Sequence, residues 1–241
     1  VEGENLGSTE TDLTEVQKFY QLLNQGKTST TQRLSTANNI PIVQDAKFWF
    51  EQGYQKVING DFIGAIASYD RALEIKPDKH EAWYNRGIAL VNLGRYEEAI
   101  ASWDRALEIK PDKHEAWNNR GVALVNLGRY EQAIASYDRA LEIKPDDHEA
   151  WNNRGIALAN LGRFEEAIAS YDQSIKINSN DANAYYNKAC CYGLQNNVEL
   201  AIENLQRAIN LDVEYQDMAK TDQDFEQIRG DERFQSLLGR V

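Results

Sequence analysis

From residue 80 onward, the hydrophobic positions fall into two alternating helical runs. Ala82, Trp83, Gly87, Ala89 and Leu90 recur at helical spacing, and so do Tyr96, Ala99, Ile100, Trp103, Ala106 and Leu107. Gly94 separates the runs and suits the left-handed turn that ends a helix. Pro111 stops the second run. Asp112 followed by Glu115 predicts a capping-box start for the next helix, and Asp78/Glu81 and Asp146/Glu149 repeat it. The pattern therefore predicts antiparallel helix pairs. Small residues such as Gly87 and Ala99 let the two helices approach, and aromatics fill the space beside them. One such pair cannot bury its apolar face alone, so the pairs must stack into a solenoid with a concave inner surface.

The pattern is an internal repeat with a period of 34 residues. His80–Lys113 and His114–Asp147 share 29 of 34 positions without a gap. His148–Asp181 keeps the pattern until its last third, and Ala46–Lys79 and Ala182–Tyr215 fit more loosely, giving five units in register. Within each unit, position 4 is Trp49, Trp83, Trp117, Trp151 and Tyr185, and position 8 is Gly53, Gly87, Gly121, Gly155 and Ala189. Position 20 is alanine throughout (Ala65, Ala99, Ala133, Ala167, Ala201), and position 27 is Ala72, Ala106, Ala140, Ser174 and Ala208. Position 32 is Pro77, Pro111 and Pro145, then Ser179 and Val213. This period and these signature residues resemble the tetratricopeptide-repeat (TPR) family, in particular arrays of the bacterial and cyanobacterial kind. The resemblance implies an all-α, right-handed superhelical solenoid of antiparallel helix pairs.

Three regions are expected. Residues 1–45 would hold one amphipathic helix at about 12–25, with Leu13, Val16, Phe19, Tyr20, Leu22 and Leu23 on its apolar side, followed by a polar linker. Residues 46–215 would be the five units (46–79, 80–113, 114–147, 148–181, 182–215), and residues 216–241 a helical cap. Phe225, Ile228, Phe234 and Leu237 are placed to cover the open apolar end of the last unit.

Charge narrows the function. The chain carries a net charge of -12, spread along its length with no basic cluster, which argues against nucleic acid as a partner. No apolar run approaches the ~20 residues of a membrane-spanning helix, so membrane insertion is not expected. The first residues do not read as a signal peptide. The chain lacks an initiator Met and reads as processed or cut from a longer one. Cys190 and Cys191 are adjacent, which disfavours a bridge between them and points to a reducing cytoplasm.

The residues suggest no catalytic chemistry. His80, His114 and His148 recur at position 1 of successive units, too far apart for one metal, since stacked helices sit ~8–10 Å apart. Cys190 and Cys191 take positions occupied elsewhere by small hydrophobes, and acidic pairs such as Glu97–Glu98 read as solvated helix faces. No Gly-rich phosphate loop, nucleophile elbow or paired-cysteine motif is present. The expectation is a protein that is not an enzyme and uses no cofactor or metal.

The TPR resemblance further implies that positions 2, 5, 6, 9, 12 and 13 of each first helix face the groove. The candidate peptide-binding residues are therefore Tyr84, Asn85, Ile88, Asn92, Asn118, Asn119, Val122, Asn126, Asn152, Asn153, Ile156, Asn160, Tyr186 and Asn187. An asparagine offers both a donor and an acceptor, so a ladder of them can grip an extended backbone while the aliphatic stripe selects side chains. The basic clamp that some TPR domains use for carboxylate tails is not matched: Tyr84, Ile88, Glu149 and Asn153 stand at four of its positions. Arg86, Arg120 and Arg154 are expected to pair with Asp70, Asp104 and Asp138 of the preceding helices. The function implied is a protein-interaction scaffold or adaptor that binds a peptide or partner protein, with basic flanks suited to the acidic surface, as a monomer or with weak self-association. The alternatives are a self-assembling structural array, or the regulatory region of a larger enzyme.

Overall fold

The computed structural model describes residues 45–239. The helix expected at 12–25 and its linker lie outside them. Twelve α-helices and one 3-10 turn follow in order: α1 (Ala46–Ile58), α2 (Phe62–Ile75), α3 (His80–Val91), α4 (Tyr96–Ile109), α5 (His114–Asn126), α6 (Tyr130–Ile143), α7 (His148–Asn160), α8 (Phe164–Ile177), α9 (Ala182–Leu194), α10 (Val198–Leu211), α11 (Glu214–Ala219), the 3-10 turn (Gln223–Ile228) and α12 (Glu232–Leu237). From α1 to α10 each helix packs on the helices before and after it, and the first helices of neighbouring units also touch, at α1–α3, α5–α7 and α7–α9; α11 and α12 both pack on α10. The odd helices therefore form one continuous layer and the even helices the other.

The turn within each unit needs a left-handed residue. Gly94, Gly128 and Gly162 adopt φ of 69°, 69° and 72°, and Asn196 takes the same role in the fifth unit at φ 56°. Asparagine tolerates this region better than other side chains, so the substitution keeps the turn.

Helix starts differ from the expected capping boxes. α3, α5 and α7 begin at His80, His114 and His148, so Lys79, Lys113 and Asp147 are the N-caps and Asp78, Asp112 and Asp146 lie one residue outside. The chain leaving each proline turns once more before the helix begins, as in the bond from Lys79 N–H to Lys76 C=O of 3.2 Å. Asp147 and Asp181 accept the amides of Ala150 and Ala184, whereas Lys79 and Lys113 make no side-chain cap. Here Glu81 and Glu115 act from within the first turn, pairing with Lys79 and Lys113 at 3.6 and 3.3 Å.

Two repeated devices fix one unit on the next. The indole N–H groups of Trp83, Trp117 and Trp151 each donate to the carbonyl of the preceding unit's proline (Pro77, Pro111, Pro145) at 2.9 Å. Arg86, Arg120 and Arg154 each bond a carboxylate of the preceding helix (Asp70, Asp104, Asp138) at 2.7 Å, as expected from sequence. The same guanidinium also reaches the buried hydroxyls of Ser102, Ser136 and Ser170 in its own unit, at 2.7, 2.7 and 2.8 Å. One arginine thus joins three successive helices, with geometry that a planar fork of donors provides.

The tail folds back on the fifth unit. Phe225, Ile228, Phe234 and Leu238 are buried with Tyr186, Ala189, Leu205 and Tyr215 in a cluster of their own. Phe225 meets the Tyr186 ring edge-on and the Phe234 ring at a tilt, with centroids 5.9 and 5.3 Å apart.

Candidate binding groove

The layer of odd helices carries a concave cavity of about 570 Å³. α5, α7 and α9 supply most of its lining, Tyr137 and Tyr171 reach it from α6 and α8, and the tail closes one end. Val122, Asn126, Asn152, Asn153, Ile156, Asn160, Tyr186 and Asn187 line it, all of them candidates from the helical register. Tyr84, Asn85, Ile88, Asn92, Asn118 and Asn119 belong to the earlier helices α3 and α5 and do not line this cavity; Asn118 and Asn119 are buried.

The asparagines are hydrogen-bonded to one another across the units. The Nδ2 groups of Asn153 and Asn187 donate to the Oδ1 atoms of Asn118 and Asn152, at 3.2 and 3.1 Å. Asn119 makes the equivalent contact to the Tyr84 hydroxyl at 3.1 Å, because position 5 is tyrosine there. Asn92, Asn126 and Asn160 each donate to the main-chain carbonyl four residues earlier, at 2.9 Å. An amide has two N–H donors and a carbonyl, so one such bond fixes the side chain's direction and leaves further capacity for a ligand.

The groove wall between these amides is apolar: Val122, Val125, Ile156 and Ala159 run along it. At the tail end it changes character. Tyr186, Cys190, Tyr215, Met218, Asp222 and Asp224 meet there. The Tyr186 hydroxyl donates to Asp222 Oδ2 at 2.6 Å, and the Asp224 N–H donates to Asp222 Oδ1 at 3.0 Å. Burial, followed by the charge of neighbouring Asp222, raises the Asp224 carboxyl above its ordinary range. Burial and the same two carboxylates hold the Cys190 thiol well above its usual value, so it stays protonated. Sequence reasoning placed the tail as a cap and missed Asp222 and Asp224 as groove residues. The tail lies outside the repeat, so no register carries them to the inner face.

Chemistry elsewhere is sparse. Cys190 and Cys191 are buried and free. His114 and His148 face Asp147 and Asp181 at 3.7 and 3.5 Å, each within its own unit, so the three histidines do not converge. Glu98 pairs with Arg95 at 2.6 Å on the exposed surface. Among the described residues, no helix is long and apolar enough to cross a membrane.

The comparisons agree with this architecture. One tetratricopeptide-repeat family model matches residues 50–114, 84–148 and 118–182, and a second matches 170–203. No curated protein gives a significant match. Among solved structures, YrrB, described as a TPR protein with an unusual peptide-binding site, is 28% identical with a TM-score of 0.62 over 70% of this chain and 88% of its own. A MamA crystal structure is 23% identical with a TM-score of 0.64, over 67% of this chain and 95% of its own. MamA from Desulfovibrio magneticus RS-1 is 20% identical with a TM-score of 0.67, over 70% and 96%. Repeat register, helix pairing and family models coincide over the same stretch, and the chain belongs to the tetratricopeptide-repeat family.

Proposed function

We propose that this protein is a non-catalytic interaction scaffold that holds an extended peptide segment of a partner protein in its concave groove. The observation that carries the reading is the 570 Å³ cavity on the inner faces of α5, α7 and α9, where amides alternate with aliphatic side chains. Amides suit a peptide backbone and aliphatic walls suit its side chains, the division of labour used by grooves that bind extended chains. The similarity to YrrB, whose structure is described as having a peptide-binding site, supports it. The net charge of -12 and the carboxylates at one end of the groove suit a ligand with basic flanks and oppose a phosphate backbone. The free thiols of Cys190 and Cys191 support a reducing compartment.

Two exposed groove residues permit a direct test. Replacing Asn126 and Asn160 by tryptophan fills the cavity from its rim without touching a buried side chain. Wild type and the double variant are each used to select from a displayed random-peptide library, with circular dichroism confirming the fold of both. Wild type is expected to enrich a consistent set of peptides, and the variant to lose them. Equal enrichment by both proteins would place binding elsewhere.

A further inference from the structure

The groove reading leaves the ligand's chemistry open at the end closed by the tail. Among the described residues that line the cavity, the charged ones are Asp222 and Asp224, both at that end, with no lysine or arginine. Their carboxylate oxygens and the Cys190 sulfur lie within 4.8 Å of one another, and both aspartates are half-buried. The tail's ion pairs run from Lys220 to Asp217, from Arg229 to Glu226 and from Arg233 to Asp231; none of these three reaches Asp222 or Asp224. Arg229, the nearby guanidinium, is directed at the main-chain carbonyls of Lys220 and Asp222. The side chains that bond the Asp222 carboxylate include two neutral groups, the Tyr186 hydroxyl and the Cys190 thiol. Two like charges thus share a partly desolvated recess beside the rings of Tyr186 and Tyr215, whose centroids are 4.7 Å apart.

Building on the groove reading, we propose that Asp222 and Asp224 form a subsite for a basic side chain of the bound peptide, so that the protein selects ligands by an arginine or lysine at one fixed place. A cation arriving there relieves the repulsion between the carboxylates. The guanidinium fork matches two carboxylates, and the aromatic walls suit its flat face. A metal ion fits less well. Asp222 already accepts three hydrogen bonds, and the remaining ligand atoms fall short of the oxygen shell that calcium or magnesium requires.

The test uses the full chain and its variant Asp222→Asn/Asp224→Asn. Asparagine at 222 keeps one of the two acceptor oxygens, for either the Tyr186 hydroxyl or the Asp224 N–H, so circular dichroism and a melting curve first check that the variant's tail stays folded. A displayed random-peptide library is selected on both proteins. Wild type is expected to enrich arginine or lysine at one position; the variant still enriches peptides but loses that preference. Replacing the selected arginine by citrulline in a synthetic peptide should weaken wild-type binding about 10-fold and variant binding hardly at all. If wild type enriches peptides with no basic position, or if the preference persists in the variant, the subsite is wrong while the groove stands. If wild type enriches no peptide, both readings fail together. Calorimetry with zinc or calcium chloride alone gives the remaining outcome: micromolar binding that the variant loses would make this a metal site and overturn the assignment.

Discussion

The ring of Tyr137 occupies the space into which a β carbon on Gly121 would project, 2.5 Å from ring atom Cε1. The same relationship joins Gly53 to Tyr69, Gly87 to Trp103 and Gly155 to Tyr171. In the fifth unit Ala189 and Leu205 take the two places, both fully buried. A methyl is gained on one helix and an aromatic ring is replaced on the other, so the pair changes together. Gly121→Ala should therefore destabilise the protein by about 1–3 kcal/mol through overpacking. Gly121→Ala/Tyr137→Leu, which copies the fifth unit, should recover part of that loss. Urea unfolding of the two single variants and the double variant measures the coupling; strictly additive effects would show that the ring and the glycine do not constrain each other.

Arg120 connects Asp104 to Ser136, and the fifth unit shows what a lysine does at the equivalent place: Lys188 bonds Asp172 at 2.6 Å. Arg120→Lys should keep an ion pair with Asp104 and lose the bond to the buried Ser136 hydroxyl, costing about 1 kcal/mol. Arg120→Met loses both and leaves Ser136 only its bond to the Gln132 carbonyl. The ordering wild type, lysine, methionine in thermal stability is the expected result, and equal melting temperatures for all three would contradict it.

The tail's contribution to stability is concentrated in Phe225, which is fully buried among Tyr186, Ile228 and Phe234. Phe225→Ala should cost about 3–5 kcal/mol and expose the end of the fifth unit. Light scattering should then report association on mild heating. A variant that melts at the wild-type temperature and stays monodisperse would show that the fifth unit needs no cover.

Asp224 gives a pH dependence with a definite sign. Its folded-state pKa is raised, first by burial and then by Asp222, so the folded protein binds its proton more tightly than the unfolded chain does. The stability linked to this proton is fully present below the ordinary aspartate value of 3.8 and is lost as pH rises through the elevated folded value. Asp224→Asn removes the loss. The variant should melt above wild type at pH 7, and the difference should shrink towards zero as the pH falls below the ordinary carboxylate range. A difference that is constant with pH would assign the effect to something other than this proton.

Much of this structure can be read from spacing, and the remainder shows where spacing stops helping. The helix pairs, the glycine turns and the Arg–Asp pairs repeat with the unit, so each is seen several times in the sequence. Ser102, Ser136 and Ser170 also repeat, but a serine inside a helix carries no mark that it meets an arginine from another helix. The asparagine stripe was visible, yet its cross-unit bonds, such as Asn153 to Asn118, depend on distances between units that a one-dimensional pattern does not encode. Asp222 and Asp224 were least accessible. They occur once, in a turn whose path is set by where Phe225 and Phe234 find a buried place.

The arginine that joins three helices also bears on how such a chain can change length. Units two to four present matching faces upstream and downstream: Arg86, Arg120 and Arg154 all meet an aspartate behind and a serine in their own unit. Removing or duplicating one whole unit in this stretch would reunite compatible surfaces. The fifth unit is different, because Lys188 and Leu205 replace the shared residues and Tyr186 is tied to the tail. Insertions and losses by unequal recombination should therefore be tolerated upstream of residue 182 and rejected beyond it. Gene copies could lengthen or shorten the groove in whole-unit steps while its acidic end stays in place.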